Sequence, residues 1–311
     1  MNKWSIGGAS MKKKALVIVN PSSGREKAKG YSEEVVRILK QQYESVDVRS
    51  TEKAGDATAF ASEGVEDGYE AIIAMGGDGT VHEAVNGIAK HQERPHFGLI
   101  PMGTVNDLAR VLGIPLDPEE AIRVLEDSVV MAVDIGKVND RYFSNAIGIG
   151  SIPESIHDVS SEEKSRLGAL AYYIAGAKRM ADPERMEVTL EFDGYEWTGD
   201  ISTIAVSLSG SLAGIRGIVP EANIQDGKLH ILVVKDFGIL DTLKMAPGIL
   251  RGTITESDNV VYIQTEKIRI DAKGRELHAN VDGEEGPLLP LEVEILPGYL
   301  EVLVSRELQK D

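Results

Sequence analysis

Residues 71–90 read AIIAMGGDGTVHEAVNGIAK. The first five are a continuous apolar run, glycines follow at 76, 77 and 79, and the remainder carries helical periodicity. A strand that passes through a glycine-rich turn directly into a helix is the building unit of a β/α layer with a mostly parallel sheet. Three glycines in four positions free the backbone from Cβ clashes. Such loops commonly cradle phosphate, because several backbone N–H groups converge on one point. Asp78 inside the loop would repel an anion unless a divalent cation stood between them, so the stretch points to a metal–nucleotide site. A glycine-rich loop alone reads first as a tight strand-to-helix connection.

The same texture extends outward. From Lys14 to about Asp134, the apolar runs ALVIV, VDV, AIIAM and FGLI alternate with helical patterns around 28–42, 56–66, 80–90, 105–112 and 118–126. Ligands of such sheets gather at the carboxyl ends of the strands, and three loops follow strands there: NPSSG (20–24), GGDGT (76–80) and PMGTVND (101–107). After about residue 135 the chain turns to short β-type runs separated by Gly, Asp, Asn and Pro, among them MEVTLEF, ISTIAVSL, KLHILVV, VVYIQT, KIRIDA, ELHANV and LEVEIL. That pattern predicts an antiparallel sandwich or barrel. One helical stretch interrupts it, KSRLGALAYYIAGAKR at 164–179, with four basic residues and no acidic one. Its apolar centre is too short to span a bilayer but its flanks suit a lipid surface; it reads equally as a helix packed on the sheet.

A chain of 311 residues accommodates two domains. The net charge of −17 argues against a nucleic-acid-binding surface, which needs clustered Lys and Arg. With no cysteine, disulfides, thiolate zinc sites and cysteine nucleophiles are excluded, and a reducing cytoplasm is permitted. The six histidines include no HExxH pair, and no stretch approaches the ~18 uninterrupted apolar residues of a membrane span. Residues 1–10 precede a second methionine, Met11, and read as a leader appended to the native chain.

Familiar nucleotide motifs are absent. There is no GxxxxGK[ST]; the Rossmann spacing fails at His82 and again at Pro153; the DFG at 236–238 has no accompanying HRD. What accompanies GGDGT is a set of other loops. Asn20, Pro21, Ser22, Ser23 and Gly24 end the first strand with exposed backbone N–H groups, and Arg25 and Lys27 follow. Thr104 and Asn106 lie in the loop after FGLI, with Asp107 beginning the next helix. Near the far end, HANVDGEEG sets Asp282 and Glu284 around Gly283. In a strand these carboxylates would share a face, whereas a glycine turn can aim them differently. By itself DGE reads as a solvated hairpin turn.

The ordered combination VNPSSG, STEKAGDA, GGDGTVHEAVNG, PMGTVNDLAR followed by LGIP, VDIG, PEANIQDGKL and NVDGE resembles the diacylglycerol kinase catalytic family, specifically its soluble bacterial lipid kinases of the YegS and BmrU type. The resemblance runs from about Lys14 to Val304. It implies an α/β domain like that of phosphofructokinase, joined to an all-β sandwich, with the active site in the interdomain cleft. The expected division is 11–138 for the ATP-binding domain and 139–297 for the β-sandwich acceptor domain, with a C-terminal strand and tail at 298–311 returning to the first domain.

By matching motif positions, the resemblance implies that Asn20, Pro21, Ser22, Ser23, Gly24, Thr51, Gly77, Asp78, Gly79, Thr80, Val81, His82, Glu83 and Thr104 line the ATP site. Glu284 matches the acceptor of the lipid hydroxyl proton, with Asp78 the alternative base. Asp78 also matches the essential loop aspartate, and Asp282 would support metal and base. Asp134 matches an acidic network near the site. Asp226, with Asn223 and the Lys228 carbonyl, matches the anchor of a structural magnesium. The cofactor is Mg2+ and the phosphoryl donor ATP. The partner is a membrane lipid, reached transiently at the inner face of the membrane by a cytoplasmic, homodimeric enzyme with peripheral contact through 164–179.

The chain departs from the family at AIGIGSIPESI and SLAGIRGIVPEA, both in the acceptor half, so the lipid's identity stays open. Diacylglycerol leads, ahead of phosphatidylglycerol and sphingoid-type alcohols. An NAD kinase, which shares GGDGT, is the enzymatic rival, disfavoured by GTVNDLAR and NVDGE. A non-catalytic nucleotide-binding regulator is disfavoured by the joint presence of Asp78, Glu83, Asp226, Asp282 and Glu284.

Overall fold

The computed structural model describes residues 13–23, 28–150, 186–212, 217–235, 253–272 and 274–309. Gly24, the start of the acceptor-half departures at 151–153 and the basic stretch 164–179 lie outside the described residues. The first half alternates strand and helix: β1 (Lys14–Val19), α1 (Ala28–Leu39), β2 (Ser45–Ser50), α2 (Asp56–Glu66), β3 (Ala71–Gly76), α3 (Asp78–Ala89), β4 (His96–Pro101), α4 (Asp107–Val111) and α5 (Pro118–Val124). β4, β3, β1 and β2 lie side by side in that order, all parallel. All six residues of β3 are buried. A strand covered on both faces needs no polar alternation, which is why AIIAM reads as unbroken apolar sequence. α2 packs on α3, and α1 on α5.

Antiparallel strands follow: β5 (Ser128–Val138), β6 (Arg141–Phe143), β7 (Ala146–Gly150), β8 (Met186–Phe192), β9 (Tyr195–Ser207), β10 (Leu229–Lys235), β11 (Val260–Thr265), β12 (Lys267–Asp271), β13 (His278–Val281), β14 (Glu284–Leu288) and β15 (Leu291–Ser305). β9 changes partners along its length. Its first part pairs with β8, and from Thr203 to Ser207 it lies between β7 and β10. The inward residues, such as Ile147, Val188, Ile204, Ile231, Ile268 and Val293, close a second core distinct from that of the α/β layer.

β15 joins the two cores. Leu291, Val293 and Ile295 belong to the second, while Leu300, Val302 and Val304 belong to the first, where Val302 pairs in parallel with Phe97 of β4. Its pairing with β5 shifts register between Leu296 and Leu300, and Gly298 there takes φ 57°, a conformation that favours glycine. The Asp134 carboxylate closes this irregularity from inside. It is buried and accepts hydrogen bonds from the N–H of Gly298 and the N–H of Gly227, both at 2.7 Å. A second clasp lies on the surface, where the Arg94 guanidinium sits 3.8 Å from the centre of the Tyr299 ring and donates to the Tyr299 carbonyl. Tyr299 in turn stacks on Tyr142, so the two halves are also held by cation–π and ring contacts.

Candidate active site

The glycine-rich stretch is less of a loop than its sequence suggests. Gly77, in extended backbone, is the N-cap of α3, and Asp78 is already its first residue. Gly76, Gly77 and Gly79 all lack positive φ, so a left-handed backbone is not the reason for glycine here. A Cβ on Gly76 would strike the Thr80 side chain, and one on Gly103 would lie 2.7 Å from the Gly77 Cα. The 76–80 and 101–106 segments therefore run backbone against backbone, tied by Met102 N–H donating to the Gly76 carbonyl at 2.8 Å.

Asp78 reaches across this contact. Its two oxygens accept from Asn106 N–H at 2.9 Å and Asp107 N–H at 2.7 Å, so it caps the start of α4. Asn106 stands at φ 54° and braces the turn by exchanging hydrogen bonds with the Gly103 backbone. That left-handed residue is why α4 begins only at Asp107. The carboxylate in the glycine loop is thus stabilised by backbone donors before any cation is considered. Asp107 continues the network by accepting from Asn145 Nδ2 at 2.9 Å, across to the β-rich half.

The neighbouring loops are ordered by side chains. Asn20 Nδ2 donates to Thr80 Oγ1 at 3.1 Å and its Oδ1 accepts from Ser22 N–H, leaving Pro21 and Ser22 exposed at the mouth. Thr51 N–H donates to the Val19 carbonyl at 2.9 Å, and Thr104 is exposed on the facing loop. Glu83, one turn into α3, accepts from Gly55 N–H at 2.8 Å and Ala57 N–H at 3.1 Å, anchoring the start of α2. Within the same turn the backbone N–H groups of Glu52 and Lys53 hold the Asp56 carboxyl below its usual range.

NVDGE forms the tight end of the β13–β14 hairpin. Val281 faces Glu284, and the two residues between them, Asp282 and Gly283, stand at φ 51° and 95°. Two left-handed residues make the twist that a two-residue hairpin requires, and Asp-Gly is the sequence suited to it. The turn aims the carboxylates apart. That of Asp282 is only 6% exposed; Oδ1 accepts from the N–H of Asn145 and of Ala146, and Oδ2 from Ser144 N–H at 2.8 Å and from His82 Nδ1 at 3.0 Å. Glu284 is exposed, and its Oε1 lies 3.1 Å from the point where a Cβ on Gly79 would stand. A carboxylate from the far end of the chain therefore lies over the glycine-rich helix start.

Asp226 belongs to a second cluster. Its oxygens accept from Asn223 N–H, Lys228 N–H and His230 Nε2, all at 2.9 Å, while Asn223 Oδ1 accepts from Gln225 N–H. His230 is buried and its Nδ1 lies 2.7 Å from the Tyr262 hydroxyl. Asp134 joins this cluster through Gly227 and has no hydrogen bond to Asp78, Asp282 or Glu284. Beside the Asp226 cluster, a cleft of about 300 Å³ is lined by Arg110, Val111, Ser209, Ser211, Gly217 and Asn223. Ser144, Asn145 and His230 sit in no nucleotide motif and carry no sequence signal for these contacts. Asn106 does carry a signal, since Asn tolerates the left-handed region better than most residues.

Residues 14–138 match the family model of the diacylglycerol kinase catalytic domain, and residues 152–304 that of the YegS C-terminal NAD kinase beta sandwich-like domain. The chain is 35% identical over 299 residues to the diacylglycerol kinase of Staphylococcus carnosus, covering 96% of this chain and 97% of that one. It is 35% identical over 296 residues to the diacylglycerol kinase of Bacillus subtilis, covering 95% and 97%. A crystal structure of a diacylglycerol kinase from Bacillus anthracis superposes with a TM-score of 0.75 at 26% identity, covering 96% of this chain and 99% of the other.

Proposed function

The chain belongs to the diacylglycerol kinase catalytic family and is a lipid kinase, and from that premise we propose that it transfers the γ-phosphoryl group of ATP to a lipid hydroxyl, with diacylglycerol as acceptor and phosphatidic acid as product. The observation that carries this reading is the position of the exposed Glu284 carboxylate over Gly79, at the helix start whose backbone N–H groups would receive phosphate. Glu284 takes the proton of the lipid hydroxyl as its oxygen attacks the γ-phosphorus in line. The bond from the γ-phosphorus to the β,γ-bridging oxygen breaks, ADP leaves, and the proton passes from Glu284 to solvent. The 77–80 backbone, with Asn20, Ser22, Ser23, Thr51 and Thr104 around it, orients the triphosphate, and such preorganised donors need no rearrangement as charge develops.

Magnesium bound with the nucleotide would neutralise phosphate charge. Each oxygen of Asp78 accepts one backbone N–H and keeps a lone pair free, which fits an outer contact through metal-bound water. A structural magnesium would be held by Asp226, whose Oδ1 likewise accepts one N–H, with Asn223 and the Lys228 carbonyl as its further protein ligands. Among the described residues no three His, Cys, Asp or Glu side chains converge on one point, so magnesium here would keep several waters, as it commonly does. Melting curves test this. Magnesium should raise the melting temperature of the wild type and not that of Asp226→Ala, because a cation held only by the native state stabilises it by mass action; equal shifts would remove the site.

Gly79→Ala separates geometry from stability. Gly79 is the second residue of α3, so alanine should leave the helix as stable or raise its stability by up to about 0.5 kcal/mol. Its Cβ would press on Glu284 Oε1, and a displacement of a few tenths of an ångström should lower kcat roughly tenfold. An unchanged kcat would mean that Glu284 does not act from this position.

The acceptor is tested by offering purified diacylglycerol, phosphatidylglycerol and a sphingoid alcohol in mixed micelles, with NAD beside them, and reading products by mass spectrometry. Phosphatidic acid as the main product is the expected result. Phosphorylated NAD would replace this reading with the rival enzyme. Peripheral contact through residues 164–179 belongs to the same proposal; replacing Lys164, Arg166, Lys178 and Arg179 with Gln should weaken binding to anionic vesicles at low salt.

A further inference from the structure

We infer that His82, which family resemblance sets among the nucleotide contacts, is a positioning residue for Glu284 and acts through Asp282; the inference rests on the reading of Glu284 as the base. Gly79, His82 and Asn86 lie at spacings of three and four along α3, and so share one face of it. That face meets the β-rich half at all three positions. Gly79 lies beneath the Glu284 carboxylate. His82 Nδ1 donates to Asp282 Oδ2 at 3.0 Å. Asn86 donates to the Tyr142 carbonyl at 2.9 Å and accepts from Tyr142 N–H at 3.0 Å.

Asp282 and Glu284 are separated only by Gly283, inside a two-residue turn, so an anchor on one constrains the other. Every other partner of the Asp282 side chain, Ser144, Asn145 and Ala146, belongs to the β-rich half. Among the described residues, His82 is its one side-chain partner from the α/β half. Without that bond the hairpin would stay attached to β7 and lose its tie to α3, and the spacing between Glu284 and the phosphate-binding helix start would loosen. The imidazole is poorly placed for phosphate. It is 12% exposed, Nδ1 is taken by Asp282, and Nε2 lies 3.4 Å from Asn86 Nδ2, so both ring nitrogens face protein groups.

The test compares His82→Phe, which keeps bulk and removes the donor, with His82→Gln, which keeps an N–H at similar reach. His82→Phe should lower kcat roughly 10- to 100-fold, with the affinity for a non-hydrolysable ATP analogue changed less than about threefold and the chain still folded. His82→Gln should recover most of the loss. Asn86→Ala, which cuts the next tie on the same face, should show the same split and serves as the readout if His82→Phe does not fold.

Weaker analogue binding with unchanged kcat would make His82 a nucleotide contact and overturn the proposal, as would equal losses in the Phe and Gln variants. Combining His82→Phe with Glu284→Gln should add no further loss to that of Glu284→Gln alone; a multiplied loss would show that His82 acts by another route. The base reading stands or falls separately, on Glu284→Gln alone.

Discussion

Glu284→Gln is expected to lower kcat by about 10²- to 10⁴-fold, the usual worth of a positioned general base. ATP affinity should stay within about twofold, because the substitution removes proton acceptance in the transition state and leaves ground-state binding intact. The side chain is exposed and glutamine has nearly its shape, so the fold should not suffer. Turnover at saturating lipid and equilibrium binding of an ATP analogue are the two measurements. Retained turnover would move the base role to Asp78. Asp78 is the more engaged of the two carboxylates, since both its oxygens already accept backbone N–H groups from Asn106 and Asp107. Glu284 stands open over Gly79.

Asp282→Ala is expected to have the largest effect on stability. The carboxylate is nearly enclosed and accepts from three backbone N–H groups, the Ser144 hydroxyl and His82. Removing it leaves those donors facing a void, and losing one partner of such a buried network costs about 3–5 kcal/mol. Urea denaturation should show a clearly lower midpoint for Asp282→Ala, and turnover should fall with it as the hairpin loses its anchor. Asp282→Asn should not rescue fully, because an amide turns one donor toward the N–H groups that the carboxylate accepted. A different pattern, wild-type stability with activity restored by excess magnesium, would return Asp282 to the metal-supporting role that family resemblance implies.

The parallel layer was legible in the sequence because both of its signals are local. ALVIV, AIIAM and FGLI are apolar throughout since they are covered on both faces, and the intervening helical periodicities mark the crossovers. The hairpin was half legible: Asp-Gly between two β-type runs suits a two-residue turn, but nothing local says that its two carboxylates diverge, one into β7 and one over α3. β15 was less legible still. LEVEIL reads as a strand, and the resemblance implies a further strand at 298–311 returning to the first domain, yet only the folded sheet reveals that the two are one strand, continuous through Pro297 and Gly298, and that it meets β4.

Residue types at motif positions pointed to phosphate and metal chemistry, and the order of the motifs to the family. The work of individual carboxylates could not be read the same way. Asp78 caps α4 from 28 and 29 residues away. Asp134 closes the irregularity at Gly298, 164 residues on, and His82 meets Asp282 across 200. Periodicity and turn chemistry are written in neighbouring residues, because they follow from the backbone geometry of a few units. Which buried oxygen meets which N–H is decided only when the two cores close around β15, since burial makes each unpaired donor costly and tertiary packing alone determines which partner lies within reach.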